Sequence, residues 1–297
     1  MSNSTKTFRA FKFACLGLKL SNNPAPYKIS VKIVNSCNFH CQYCFSRIFH
    51  TLSPRKTPVS VMDSKIVNHI LYEAWNLGCR LATFGGIGEV TTHQDFYQIL
   101  AIAKRMGYSV NFTTNGWIID PSRLSILEPV DRIRISIDRM HLEGSPDPHK
   151  YVSRLSSVIE ESINQNLPVT VVKHGESIPA IDKMLKETGV RVYCYPLLMS
   201  SSNQIQQKRK NTYRCIDPWT CISVGSDLTI NPCSCTSECI GSLKNGTLRE
   251  IWFGDEQMNF RKKMSSVNPP SVCLSCDRTG RDLYGWCEAI YKNISIV

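Results

Sequence analysis

Residues 28–44 read Lys-Ile-Ser-Val-Lys-Ile-Val-Asn-Ser-Cys-Asn-Phe-His-Cys-Gln-Tyr-Cys. The fold turns on how the two halves of this run join. Positions 28–34 form a short β-rich run, the composition of a strand. Directly behind it come Cys37, Cys41 and Cys44, three thiols within eight residues. In a parallel sheet they stand at the mouth formed by the strands' C-terminal ends. Iron–sulfur clusters are held by cysteine thiolates, and a cubane contains four irons. Three cysteines leave one iron open, and an open metal position is where substrate chemistry takes place. His40 is a fourth donor for a zinc site, but its place inside the triplet makes simultaneous tetrahedral ligation awkward. Tyr43 packs either on an aromatic ligand or on the rim.

Outward from this run, strands are expected at 80–84, 108–113, 131–137, 168–173 and 190–195, with helices at 64–77, 95–106, 121–127, 150–164 and 178–187. Asp63, Thr92 and Asp120 are start signals, and Gly78, Gly107 and Gly189 are stops. Six strands with intervening helices predict a parallel sheet with right-handed crossovers. Six units are too few for the closed eight-stranded barrel. The expected fold is therefore α/β, a partial (β/α)6 TIM-like barrel. Along 131–138, Ile133, Ile135 and Ile137 share one face, while Arg132, Arg134, Ser136 and Asp138 share the other. A strand buried on both sides is almost wholly apolar. Asn111, Thr113 and Asn115 repeat the pattern on the third strand. An edge strand facing water is one explanation. A polar lumen able to hold a ligand explains both strands together and is preferred.

The chain has 297 residues, of which 42% are apolar and 20% charged, a normal globular composition. No stretch is long and apolar enough to span a bilayer. Met1 to Arg9 lacks the apolar core and cleavage site of a signal peptide. A cytoplasmic protein with no membrane partner is expected. Lys plus Arg is 35 and Asp plus Glu 24, a formal charge of +11. Alone, that points to nucleic acid or another acidic partner. The count takes all 14 cysteines as neutral, and metal thiolates would lower it. The basic residues are also scattered. The one tight run, Lys208-Arg209-Lys210, lies in a Ser/Asn/Gln/Lys-rich stretch at 200–212 that reads as a linker. In a cytosolic chain, cysteines read as metal ligands first. Cys15, Cys79 and Cys194 are isolated and read as small buried hydrophobes. Cys194, on the last expected strand, has a second reading in which it reaches the lumen.

The spacing Cys37-x3-Cys41-x2-Cys44, with an aromatic residue before the last cysteine, resembles the radical S-adenosylmethionine (SAM) enzymes. The resemblance runs from about residue 28 to 287. It implies a [4Fe–4S] cluster on Cys37, Cys41 and Cys44, with SAM chelating the open iron. It also implies reductive cleavage of SAM to a 5′-deoxyadenosyl radical that abstracts a substrate hydrogen. The cofactors carry that chemistry, and the protein supplies position and excludes water. Gly86-Ile87-Gly88-Glu89 resembles the family's SAM amino-group motif. Glycines allow close backbone approach, and a carboxylate suits an ammonium. Val90 stands where the family often has Pro. Thr114-Asn115-Gly116 ends the third strand, and Ser136 and Asp138 end the fourth. By resemblance these, with Tyr43, are candidates for contacts to SAM. Turn or cap chemistry is the other reading of each strand-end residue.

Residues 213–297 hold eight cysteines in 85 residues, with weak periodicity and many turn residues. This reads as a small cysteine-rich domain organised around metal rather than a large apolar core. Cys215-Ile-Asp-Pro-Trp219, Asn231-Pro-Cys233 and Cys273-x2-Cys276 look like the SPASM or shorter Twitch extension, which binds auxiliary [4Fe–4S] clusters. The spacing fits one cluster on Cys215, Cys233, Cys273 and Cys276. Cys215-x5-Cys221 instead resembles the start of a full two-cluster domain, with Cys221 and Cys287 as ligands. Against this, Asp282 stands where a further cysteine is expected, and Leu228 replaces a usual Gly. One and two auxiliary clusters both stay open. With one, Cys221, Cys235, Cys239 or Cys287 is available to return a hydrogen to the substrate. The expected organisation is a lead segment at 1–27, the barrel at 28–199, a linker at 200–212 and the auxiliary domain at 213–297.

The resemblance puts a peptide or protein side chain or α-carbon first as substrate, for oxidation, crosslinking or epimerisation. A small molecule such as an aminoglycoside, undergoing dehydrogenation or epimerisation, is second. It also implies a reducing partner such as flavodoxin or ferredoxin. Asp138, Glu176 and Asp217 are unranked candidates for a base. A zinc-ribbon nucleic-acid-binding protein is the competing class. That reading uses the basic charge and the Cys-x2-Cys pair but leaves the three-thiol loop and Gly86–Glu89 unexplained.

Overall fold

A computed structural model describes residues 25–41, 44, 59–127, 130–174, 177–195, 217–234, 236, 238–265, 270 and 273. Six strands pair in parallel in chain order: β1 (Lys28–Val31), β2 (Leu81–Phe84), β3 (Ser109–Thr114), β4 (Arg132–Ile137), β5 (Val169–His174) and β6 (Val192–Tyr195). Their crossovers carry α1 (Ser64–Leu77), α2 (Phe96–Arg105), α3 (Arg139–Gly144), α4 (Pro148–Asn164) and α5 (Pro179–Thr188). The sheet is open, as the count of six units required.

Local chemistry sets the boundaries. Asp63 caps α1 by accepting the Lys65 N–H at 2.7 Å, and Gly78, at φ +121°, ends the helix. Between them Val67, Ile70, Leu71, Ala74 and Leu77 recur at helical spacing and are buried. Asp147 caps α4 ahead of Pro148, and Gly189 stops α5 in the left-handed region. Three expectations are corrected. β1 ends at Val31 rather than 34, because Ile33 and Val34 pair instead with the segment around Val61 and Met62. Residues 121–127 form a 3-10 helix, its first turn held by Asp120 accepting from Ser122. Thr92 does not start α2; it closes a 3-10 turn capped by Glu89.

On β4, Ile133, Ile135 and Ile137 are fully buried, and the intervening residues are partly exposed. Ile135 reaches the α4 side, where a Cβ on Gly116 would touch both it and Leu155. The other face is the lumen. In-register neighbours share a face. Ser30, Thr83, Asn111 and Arg132 therefore form one lumen layer, and Thr113 and Arg134 belong to the next. Cys194 is level with Lys173 and Ile137, so it lies on the helix face; it neither reaches the lumen nor packs in the core, being exposed.

The C-terminal segment is joined to this sheet. It forms α6 (Asp217–Thr220), β7 (Cys221–Val224), β8 (Thr229–Asn231), β9 (Gly241–Ser242), α7 (Leu248–Phe253) and α8 (Asp255–Ser265). β7 pairs in parallel with β1, Lys28 opposite Cys221 and Val31 opposite Val224. β8 and β9 follow antiparallel, giving the order β6-β5-β4-β3-β2-β1-β7-β8-β9. The segment also shares the apolar core, contrary to the expectation of metal in place of a core: Ile222, Val224, Ile230 and Trp252 are fully buried. Arg261 stacks 4.2 Å over Trp252, and both Arg261 and Gln257 donate to the Pro218 carbonyl. Burying each such large apolar side chain contributes about 1.5–3 kcal/mol.

Candidate active site

The three thiols follow β1 at the C-terminal mouth. Cys41 is buried; Cys37 and Cys44 are partly so. The Phe39 N–H points at Cys37 Sγ from 3.4 Å, and the Cys44 N–H donates to the Cys41 carbonyl. Burial pushes the Cys37 thiol up to about 11, with Glu89 and Cys44 adding to the rise. Burial likewise pushes Cys41 up to about 12, aided by Cys44, Asp138 and Cys37. The three thiols thus influence one another, and Cys37 and Cys41 so raised keep their protons unless a cation takes the protons' place. Among the described residues no three side chains form a cage closed tightly enough for a single ion. A cubane is broader than one ion, and three soft thiolates around a common space suit it. His40 is exposed, so a Cys₃His zinc site is not what the loop builds.

The glycine turn lies directly against this loop. Gly88 sits at φ +73°, and a Cβ there would stand 2.5 Å from the Ser36 carbonyl oxygen. The next N–H, of Glu89, donates to that same oxygen at 2.8 Å. The Glu89 carboxylate is buried. One oxygen accepts from the Thr91 N–H and hydroxyl and from Thr114 Oγ1; the other accepts from the Asn115 N–H at 2.7 Å. Asn115 then turns its amide to Asn38 Oδ1 at 2.9 Å and towards Cys37 Sγ at 3.9 Å. Cys37, Glu89, Thr114 and Asn115 are therefore one connected network. Glu89 is mostly occupied by protein donors, which leaves a single lone-pair direction on one oxygen and the backbone carbonyls of the turn for a ligand.

Ser136 is near, its carbonyl 3.5 Å from the Tyr151 hydroxyl, which also donates to the Asn115 carbonyl at 2.9 Å. Asp138 caps α3 by accepting the His141 N–H. His141 Nδ1 stands 2.8 Å from the same oxygen, a close contact without the direction of a hydrogen bond. α3 clamps the thiol loop: the His40 N–H donates to the Gly144 carbonyl at 2.8 Å. Phe39 packs edge-on against Tyr151 at 5.2 Å. No motif announces Tyr151, His141 or Gly144. Tyr151 looks like any apolar-face residue of a helix, and α3 is too short to show a period.

The second cysteine group lies elsewhere. Cys221 opens β7, level with Lys28, at the opposite end of the sheet from Cys37. Its neighbour Cys79 is fully buried, and burial raises that thiol well above its ordinary range. Cys233 is buried, two residues beyond β8; Cys273 is partly buried; Cys239 is exposed, with Sγ 3.2 Å from the Gly241 carbonyl. Tyr43, Cys15, Glu176, Cys215, Cys235, Cys276, Cys287 and the linker at 200–212 lie outside the described residues. Among the described residues no helix is long and apolar enough to cross a membrane.

Comparison with known proteins agrees with this geometry. Residues 31–193 match the radical SAM superfamily, and residues 215–277 match the SPASM iron–sulfur cluster-binding domain. The S-adenosylmethionine-dependent nucleotide dehydratase of Selenomonas ruminantium is 28% identical over 123 residues, 39% of this chain and 40% of that protein. The tungsten-containing aldehyde ferredoxin oxidoreductase cofactor-modifying protein of Pyrococcus furiosus is 28% identical over 111 residues, 36% of this chain and 30% of that protein. The chain thus spans well under half the length of these curated relatives. The crystal structure of anSMEcpe with bound AdoMet shares the fold, with a TM-score of 0.60 and 16% identity over 85% of this chain and 83% of that one. The chain belongs to the radical SAM superfamily, built for a [4Fe–4S] cluster and SAM, with an iron–sulfur-binding SPASM domain behind the barrel.

Proposed function

We propose that this protein is a radical SAM enzyme that removes a hydrogen atom from a small polar molecule seated in the lumen. The observation that carries the reading is the network from Cys37 through Asn115 to Glu89, which ties the thiol loop, the glycine turn and the end of β3 into one mouth. Cys37, Cys41 and Cys44 hold the cluster. When bound, the cluster and SAM supply reductive cleavage to a 5′-deoxyadenosyl radical. The turn at Gly86 and Gly88 presents backbone carbonyls to the SAM ammonium, and Glu89 fixes that turn. Thr114, Asn115, Ser136 and Asp138 line the strand ends around SAM, and Tyr43, next to Cys44 in the sequence, is assigned to the same ligand. Phe39 and Tyr151 exclude water below the loop.

Cys233 and Cys273, with Cys215 and Cys276, are assigned to an auxiliary cluster; Cys221, Cys235, Cys239 and Cys287 are left as ligands of a second one or as hydrogen donors. The polar lumen layers support the small-molecule reading over the peptide side chain expected first, since parallel strands otherwise bury apolar faces on both sides. The names of the two curated relatives, one acting on a nucleotide and one on a cofactor, point the same way. The charge of +11 suits an acidic electron donor such as flavodoxin or ferredoxin.

Anaerobically reconstituted protein given dithionite and SAM is expected to release 5′-deoxyadenosine, and Cys41→Ala to release none. Equal release from Cys41→Ala, or none from iron-loaded wild type, overturns the reading. Mass spectrometry after incubation with small-molecule and peptide pools decides the substrate class; a modified peptide beside untouched small molecules restores the peptide reading.

A further inference from the structure

We propose that the side-chain amides of Asn115 and Asn38 donate hydrogen bonds to sulfur at the three-thiol loop and so raise the reduction potential of the cluster held there. This builds on the reading above, in which Cys37 is a cluster ligand. Asn115 follows β3 and is held on every side. Its backbone N–H donates to Glu89 at 2.7 Å, and its carbonyl accepts from the Tyr151 hydroxyl at 2.9 Å. Its side-chain oxygen accepts the Trp117 N–H at 3.0 Å. A backbone N–H can only donate, so that contact settles which end of the amide is oxygen. The nitrogen is left facing Asn38 Oδ1 at 2.9 Å and Cys37 Sγ at 3.9 Å. It carries a hydrogen for each.

Asn38 is oriented in turn. Its side-chain oxygen receives Asn115 and lies 3.8 Å from the same sulfur. Its nitrogen is buried and has no hydrogen-bond partner among the described residues. A buried amide donor without an acceptor is costly. The sulfides of a cubane on Cys37 are acceptors that would meet it. Reduction adds one electron to the cluster, and N–H donors at sulfur favour the more negative state. Burial and the Glu89 carboxylate oppose negative charge at Cys37, whereas the Phe39 N–H and the Asn115 amide favour it. Asn115 thus acts through the Cys37 sulfur and not on the reacting atoms.

The test uses full-length protein reconstituted with iron and sulfide without air, with dithionite as reductant. Electron paramagnetic resonance follows the clusters through a redox titration without SAM. The cluster on the three thiols is the one whose signal changes when SAM is then added. In Asn115→Asp an anionic acceptor replaces the donor, while the oxygen facing the Trp117 N–H is kept. At a fixed potential about tenfold less of that cluster is expected to be reduced, a midpoint about 59 mV lower for one electron. Asn115→Ala is expected to shift the same way by less. A wild-type midpoint in variants that hold iron overturns the proposal, and weakened SAM binding beside it would make Asn115 a SAM contact instead. If the variants take up no iron, wild type decides. Protein carrying asparagine labelled with heavy nitrogen at the side-chain amide is expected to show a hyperfine coupling from that nitrogen in the SAM-sensitive signal, and its absence overturns the proposal. Iron-loaded wild type with no SAM-sensitive signal sinks the reading of the thiol loop beneath it.

Discussion

Gly144 has an ordinary backbone angle, yet a Cβ there would stand 2.6 Å from the Cys41 nitrogen and 2.8 Å from its Cα. The glycine is required by close approach, not by conformation. Gly144→Ala must therefore push α3 or the thiol loop aside, an overpacking cost of about 1–3 kcal/mol. We expect lower iron retention after anaerobic reconstitution, with unchanged far-UV circular dichroism; wild-type iron content in this variant would show that α3 does not position Cys41. Glu89→Gln tests the network differently. An amide nitrogen facing the Asn115 N–H sets donor against donor, and the buried mismatch costs about 1–3 kcal/mol. SAM binding should weaken in proportion, as read by equilibrium dialysis, and an unchanged affinity would reduce Glu89 to a spectator. Cys37, Gly88, Glu89 and Asn115 were legible in the sequence because each belongs to a short local string. Gly144 and Tyr151 were not, because their partners are far along the chain.

At the scale of elements, α1 was readable to its last residue. A capping Asp63, a terminating Gly78 and an apolar stripe of helical period all agree there. Removing one signal should have a small, local effect: Asp63→Ala is expected to cost about 1 kcal/mol in chemical denaturation, and no loss would mean the cap is redundant. β7 was not readable at all. Cys221–Val224 is four residues long, too short for a period, and its partner β1 lies at the other end of the sequence. The linker-like stretch at 200–212 and the cysteine spacing carry a metal signal and no sign of strand pairing. The seam is nonetheless the more sensitive place. Ile222 is fully buried opposite Ile29, and Ile222→Asp would bury an unpaired charge, a loss above about 3 kcal/mol. A variant with near-wild-type melting would mean that β7 is not held against β1.

Across the whole molecule, the core passes without a break from the barrel helices into Trp252 and Ile230. Iron was expected to hold the C-terminal third together; among the described residues, packing shared with the barrel adds to that. Chelating the iron should therefore leave the far-UV spectrum nearly unchanged and a single cooperative melt, at a lower temperature. A large loss of helix and strand signal would restore metal as the organiser. Reconstitution should give about eight irons per chain for one auxiliary cluster and about twelve for two. The pairing of β1 with β7 reaches further still. β1 leaves the ribosome ahead of the other described strands, and all four of its residues are buried. One of its two neighbours, β7, is translated only after β6. Until then β1 is paired only with β2, and its other edge is open, the kind of edge that recruits other chains. A chain released early, at the end of β6, would keep every barrel strand and still be prone to clump. The segment that carries β7 should thus close that edge, and its loss is expected to appear first in yield and solubility, before any question of catalysis arises.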